Sequence, residues 1–245
     1  MRTLFKYSGF TVLTIIFSGI LISQSVAQTT DHKLVEAVQQ KISNYYPENN
    51  ISVKARENGK IQLKGTVNVL YDKLKIFEVV SGVKGVHYIE NNILVDTNTL
   101  PDNVILANIK SELNLVKSIS EPDLLDITVS NGIVFLKGEV RFQRESIVAE
   151  SVASWQEGVK GIINELQVMP IMEAISDVTL NATINDLLQN QFGLEQVLFN
   201  VKSGHVTLDG NVRNLWTKYH IEKEIRRIVG ITKVTNNLTV ADYTG

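Results

Sequence analysis

Apolar residues recur every fourth position at Leu34, Val38 and Ile42, which places them on one face of a helix. The period then drops to two. Ile61 and Leu63 alternate with Lys60, Gln62 and Lys64, as in a strand with one buried face. A helical stripe returns at Ile76, Val80 and Val83, and a second alternating run follows at Ile89, Asn91, Ile93 and Val95. A short strand and an Asn58-Gly59 turn lie between the first helix and the Ile61 strand. Asn-Gly between alternating residues predicts a hairpin, because glycine takes positive φ at no steric cost. The expected order is αββαβ.

The same cycle occurs three times. Glycines stand at 59, 65 and 85, at 132, 138 and 158, and at 204, 210 and 230. Their separations are the same in each copy, and the copies are offset by 73 and then 72 residues. The first helix repeats as Ile105, Ile109, Leu113 and as Leu180, Ile184, Leu188. The second helix repeats as Ala149, Ala153, Gln156 and as Ile221, Ile225, Ile228. Gln156 breaks its stripe, and Trp155 is expected to take its place. The endings repeat as Ile162, Asn164, Leu166, Val168 and as Val234, Asn236, Leu238, Val240. Such periodicity marks a tandem array. The fold class is therefore α+β, with three tandem αββαβ units over residues 31–97, 101–168 and 176–241. Each unit is expected to pack two helices on one face of a three-stranded sheet. The structural glycines are Gly59, Gly65, Gly85, Gly132, Gly138, Gly158, Gly204, Gly210 and Gly230. The third of each set is expected to end its helix in a left-handed cap. Linkers over 97–103 and 169–177 carry Pro101 and Pro170. Seven residues reach at most about 25 Å, so neighbouring units stay close and support one another.

The first 27 residues stand apart. Arg2 and Lys6 precede an uncharged, mostly apolar run over 11–22, and Ser25-Val26-Ala27 supplies small residues for cleavage. This is the pattern of a secretory signal peptide, and the run is short of the about 20 residues of a membrane span. A retained N-terminal anchor is the rival reading. The expected location is periplasmic or secreted, after removal of residues 1–27. The chain has no cysteine, which rules out disulfides, thiolate metal sites and a cysteine nucleophile. Its formal charge is −2, and loss of Arg2 and Lys6 would make it −4. General attraction to nucleic acid is not expected of such a chain.

The turn, the spaced glycines and the V-x-N-x-L-x-V ending resemble the BON domain, a module of bacterial envelope proteins such as the osmotically inducible periplasmic proteins. The resemblance covers the chain from residue 31 on as three copies. It implies an αββαβ fold, a periplasmic or secreted location, association with phospholipid, and support of the envelope under osmotic or related stress. It brings no catalytic residues. Gln156 and Glu224 depart from the pattern, and the second helix of the third copy is expected to pack differently.

Chemistry is otherwise sparse. His32, His87, His205 and His220 lie at no recognisable metal-ligand spacing. Glu121 with Asp123, and Glu222 with Glu224, read as solvated pairs. The glycines flank strands, whereas a phosphate loop leads into a helix N-terminus. No catalytic, cofactor-binding or metal residue is expected, and no cofactor. The recurring Asn91, Asn164 and Asn236 are read as structural, bonding their own backbone.

Function is expected where the copies diverge. The sheet face away from the helices is polar in the first copy, with Leu94 as its apolar exception, and polar in the third. In the second it carries Ile133, Phe135 and Ile163, a candidate interaction face for envelope proteins, another copy or, less readily, lipid. The second copy is acidic, with ten carboxylates against six cations over 101–171. In the third copy Trp216, Lys218, Tyr219, Lys223, Arg226 and Arg227 share one helix, a candidate membrane contact. A solvated helix part-neutralised by Glu222 and Glu224 is the competing reading. Two functions follow: a non-enzymatic protein associating with phospholipid membranes, or a periplasmic interaction scaffold using the second unit's apolar face.

Overall fold

The computed structural model describes residues 32–169, 175–193 and 197–241, so the expected leader lies outside the described residues. In the first unit, helix α1 (32–45) leads to β1 (Ser52–Arg56), β2 (Lys60–Val67), α2 (Leu70–Ser81) and β3 (Tyr88–Val95). The second has α3 (Asp102–Leu115), β4 (Leu125–Ser130), β5 (Ile133–Val140), α4 (Gln143–Ser154), β6 (Gly161–Asn164) and β7 (Gln167–Val168). The third has α5 (Asp177–Asp186), β8 (Val197–Lys202), β9 (His205–Val212), α6 (Leu215–Arg226), β10 (Lys233–Asn236) and β11 (Thr239–Val240). This is the α+β fold of three αββαβ units. In each sheet the middle strand pairs antiparallel with the strand before it and parallel with the strand that follows the second helix.

The apolar stripes of the sequence are the cores. Val38, Ile42, Ile61, Leu63, Ile76 and Val80 are buried together in the first unit. Ile105, Ile109, Val134, Leu136, Ala149 and Ala153 take those places in the second, and Leu180, Ile184, Val206, Leu208, Ile221 and Ile225 in the third. Asn131 and Ser203 have positive φ beside Gly132 and Gly204, forming two-residue hairpin loops. Each loop is tied to the start of the first helix: Asp102 accepts from the Asn131 and Gly132 N–H groups, and Asp177 from those of Ser203 and Gly204. In the first unit Arg56 pairs with Lys60, so its loop is one residue longer. The extra residue is Glu57, which the repeat spacing does not reveal because it precedes the first glycine.

Two expectations are corrected. The third glycines do not cap their helices. Helices α2 and α4 end in right-handed residues, Gly82 and Trp155, and Gly85 and Gly158 follow in the next hydrogen-bonded turn (Val86 N–H to Val83, Val159 N–H to Gln156). Their carbonyls lie where a side chain on Gly59 or Gly132 would be, so the glycines are spaced to let the hairpin touch this turn. Trp155 does not replace Gln156 in the core. It is 53% exposed and stacks on Tyr71 of the first unit, ring centroids 3.8 Å apart.

The repeated asparagines bond their own backbone and also tie sheet to helix. Their side-chain oxygens accept from the N–H two residues on, in Ile93, Leu166 and Leu238. Their NH2 groups donate to the carbonyls of Lys73, Ser146 and Lys218, the fourth residue of each second helix and always 18 residues earlier. The last strand breaks after Asn164 and Asn236 into β6–β7 and β10–β11.

Candidate functional site

The second helices bring the units together. Leu70 starts α2 yet is buried with the second unit's core, and Leu215 starts α6 yet is buried with the first unit's core. The next residues follow suit. Tyr71 stacks on Trp155 at the end of α4, and Trp216 lies against Gly82 at the end of α2. By the repeat offsets Leu70 and Leu215 are equivalent, as are Tyr71 and Trp216, and Gly82 and Trp155. The first unit therefore docks on the second with the residues that the third uses to dock on the first. Tyr219 reinforces the second contact edge-on to Phe77, centroids 5.1 Å apart.

A cleft of about 510 Å³ remains between α2, α4 and α6. Tyr71, Leu74, Ile147, Val148 and Tyr219 give it an apolar lining, and Lys75, Lys223, Arg226 and Arg227 supply cations. Lys75 reaches Glu78 at 3.2 Å and Arg226 reaches Glu222 at 2.7 Å, while Arg227 pairs with Glu224. Burial, then the negative charge of Glu222, pushes the Tyr219 phenol above its ordinary range.

The membrane-contact candidates thus divide. Tyr219, Lys223, Arg226 and Arg227 meet at the cleft. Trp216 is engaged between units and stacks on His220, centroids 4.2 Å apart. Lys218 is half-buried, and its carbonyl accepts from Asn236. Glu224, which breaks the apolar pattern, lies beside Trp216, His220 and Phe192 in a smaller hollow of the third unit. Among these residues Trp216 and Tyr219 lie against other rings, and Arg226 and Arg227 are paired with carboxylates of their own helix.

The candidate interaction face is assembled as the alternation required. Phe135 is the direct cross-strand neighbour of Ile163, and Ile133 lies two residues along, opposite Gly161. Ile163 is 43% exposed. Lys137 and Glu165 pair beside them at 3.4 Å. The same face of the first unit is a polar lattice in which Glu90 accepts from Gln62 and Asn92 at 2.9 Å and meets Lys60 at 3.5 Å. Those bonds, Asn92 first, hold the Glu90 carboxyl below its usual range. The third unit pairs His205 with Thr235 and Asp209 with Asn237.

Sequence reasoning missed Leu198, 69% exposed on the outer face of β8. It also missed the docking role of Leu70, Tyr71, Trp155 and Leu215. A signal was present: apolar Leu70 and Leu215 stand where the second copy has Gln143, and Tyr71 and Trp216 where it has Arg144. Among the described residues there is no group of three metal-ligating side chains, and no helix is long and apolar enough to cross a membrane.

The family model described as the BON domain matches residues 30–97, 101–170 and 176–242. No curated protein matches the chain significantly. Among solved structures, CdsD, a structural protein of the type III secretion system of Chlamydia trachomatis, is 16% identical over 84% of this chain and 93% of its own, with a TM-score of 0.27. The PrgH periplasmic domain is 11% identical over 81% of this chain and 99% of its own, with a TM-score of 0.22. TM-scores this low carry no inference for this chain.

Proposed function

The chain belongs to the BON domain family through all three of its units, and on that premise we propose that it is a non-enzymatic protein of the periplasm or cell exterior that works by surface contact. Its docked units present the open sheet face of the second unit to a protein partner, either an envelope protein or another copy. The observation that carries this is the cross-strand pair Phe135 and Ile163, with Ile133 beside them, on a face that is polar at the same positions in the other two units. An apolar cluster on an otherwise wet sheet marks a contact surface. Sedimentation velocity over a concentration series tests it. Self-association that disappears in Phe135→Ser/Ile163→Ser supports the face as a self-contact. A chain that stays monomeric must bind a solubilised envelope protein through the same two residues, and a double variant indistinguishable in both assays ends the proposal.

A second reading is association with phospholipid, favoured by the bases gathered at the end of α6 beside the cleft. Trp216, Lys218, Tyr219, Lys223, Arg226 and Arg227 remain the contact set under this reading, with the bases meeting headgroups and the rings, packed on Phe77 and His220, holding the helix in place. Co-sedimentation with anionic and zwitterionic vesicles at low and high salt tests it. Binding to anionic vesicles that weakens with salt supports the basic rim, and no binding to either composition removes it. Under both readings the physiological role is support of the envelope under osmotic or related stress. Cells lacking the chain are then expected to leak periplasmic enzyme after osmotic downshift, and unchanged leakage would count against that role.

A further inference from the structure

Two of the three possible contacts between units are closed by one pattern, and the third is open. Completing the cycle would dock the second unit on the third, with Gln143 in the place of Leu70 and Leu215. Arg144 would stand where Tyr71 and Trp216 stand, facing Arg227 in the place of Trp155 and Gly82. Two guanidinium groups would meet there, where the other contacts have an aromatic ring on a ring or on a glycine. Like charges oppose closure. Arg144 is instead folded back over Phe142, its guanidinium 4.4 Å from the ring centroid. The sequence therefore keeps the cleft open on the α4–α6 side while closing the other two.

We infer that this cleft is a binding site for a single-chain amphiphile with an anionic head group, a fatty-acid-like molecule; the inference rests on the phospholipid reading and gives it a specific site. Leu74, 43% exposed, faces Ile147 and Val148 across the cleft, and these three supply a trough for the chain. The head group is assigned to the α6 side. Arg226 is already held by Glu222, and Arg227 by Glu224. Lys223 has no carboxylate within ion-pair distance among the described residues and is the cation left for a ligand, while Glu150, the remaining carboxylate of the lining, stands on the α4 side and accepts from Asn164 at 3.1 Å. A volume of about 510 Å³ falls within the range of sites for single small molecules. The recess lies between helices, where one chain enters and a bilayer surface does not.

The test is fluorescence titration of the purified chain with dansyl-aminoundecanoic acid below its micellar concentration, followed by competition. Laurate should displace the probe, and dodecanol and inorganic phosphate should each be weaker by about tenfold or more, because each supplies half of the ligand. Ser151→Trp, which fills the cleft from an exposed position, and Lys223→Glu should each lower probe affinity about tenfold, with circular dichroism unchanged. Leu198→Ser, on the exposed outer face of β8 and away from the cleft, should leave it alone. Equal competition by dodecanol and laurate overturns the site, as does unaltered probe binding in Ser151→Trp and in a second cleft variant, Leu74→Glu. Vesicle co-sedimentation separates the two ideas. A chain that takes the probe but no vesicle loses the membrane reading and keeps the cleft. A chain that binds vesicles and ignores the probe loses the cleft alone.

Discussion

Leu215 belongs to α6 of the third unit, yet it is 6% exposed within the core of the first. Replacing it with alanine tests whether the units are one cooperative body. Burial of a leucine side chain contributes about 1.5–3 kcal/mol, and truncating a buried leucine costs about 2–5 kcal/mol once the residual cavity is included. Leu215 lies at a seam between units that can partly collapse, so the lower part of that range applies, about 2–3 kcal/mol. The chain has two tryptophans, and each lies at one of the two closed contacts. In a Trp155→Phe background, Trp216 alone reports the contact between the third and first units. Urea unfolding of this chain with and without Leu215→Ala should show the Trp216 transition moving to lower denaturant by that amount. The circular-dichroism transition should move with it, because the first unit's core is opened by a change in the third. Gln143→Ala, at the equivalent helix start of the second unit, should shift neither. A Leu215→Ala shift under about 0.5 kcal/mol, the size of an ordinary surface change, would refute the shared core. So would a Trp216 transition that moves while the bulk of the secondary structure does not.

Four further outcomes are expected. Gly138→Ala places a methyl against the Leu124 carbonyl oxygen at φ 103°, and should destabilise the second unit by about 3 kcal/mol, read as a fall in Tm. Asn164→Ala removes the bonds to the Leu166 N–H and the Ser146 carbonyl, and should cost about 1–3 kcal/mol in urea unfolding; Asn164→Asp should keep the first bond and recover part of that loss. Tyr46 is half-buried and donates to Asp72 at 3.2 Å, and burial followed by the Asp72 charge pushes its phenol well above the usual range. Its contribution to stability is therefore complete below the unfolded value of about 10, and it is lost as pH rises from there through the folded value. Tyr46→Phe should flatten the alkaline limb of the stability profile, and an unchanged limb would show that Tyr46 does not cause it. Tyr71→Ala should shift Trp155 emission to the red in a Trp216→Phe background, since it uncovers one face of the indole; constant emission would contradict the stack.

The sequence by itself determined what is local and periodic. Four-residue and two-residue apolar spacings placed the two helices, the central strand and the last strand of each unit, since side-chain direction follows directly from backbone period. Asn131-Gly132 and Ser203-Gly204 fixed the hairpins, because few residues take positive φ. The pattern alone puts Phe135 and Ile163 on one face, because alternation assigns each residue its side of the sheet. Tertiary structure decided what depends on how one unit meets another. Trp216 and Tyr219 look like interfacial anchors on an isolated α6, but α2 of the first unit lies against them and turns them into packing residues. Trp155 looks like a core replacement along α4 alone, but Tyr71 from a distant part of the chain covers it. The cleft belongs to no unit, and its lining comes from three helices that no single period relates. Within a unit the backbone repeat carries the information. Between units, identity rests on a few side chains at helix ends, where Leu70 and Leu215 dock and Gln143 with Arg144 does not.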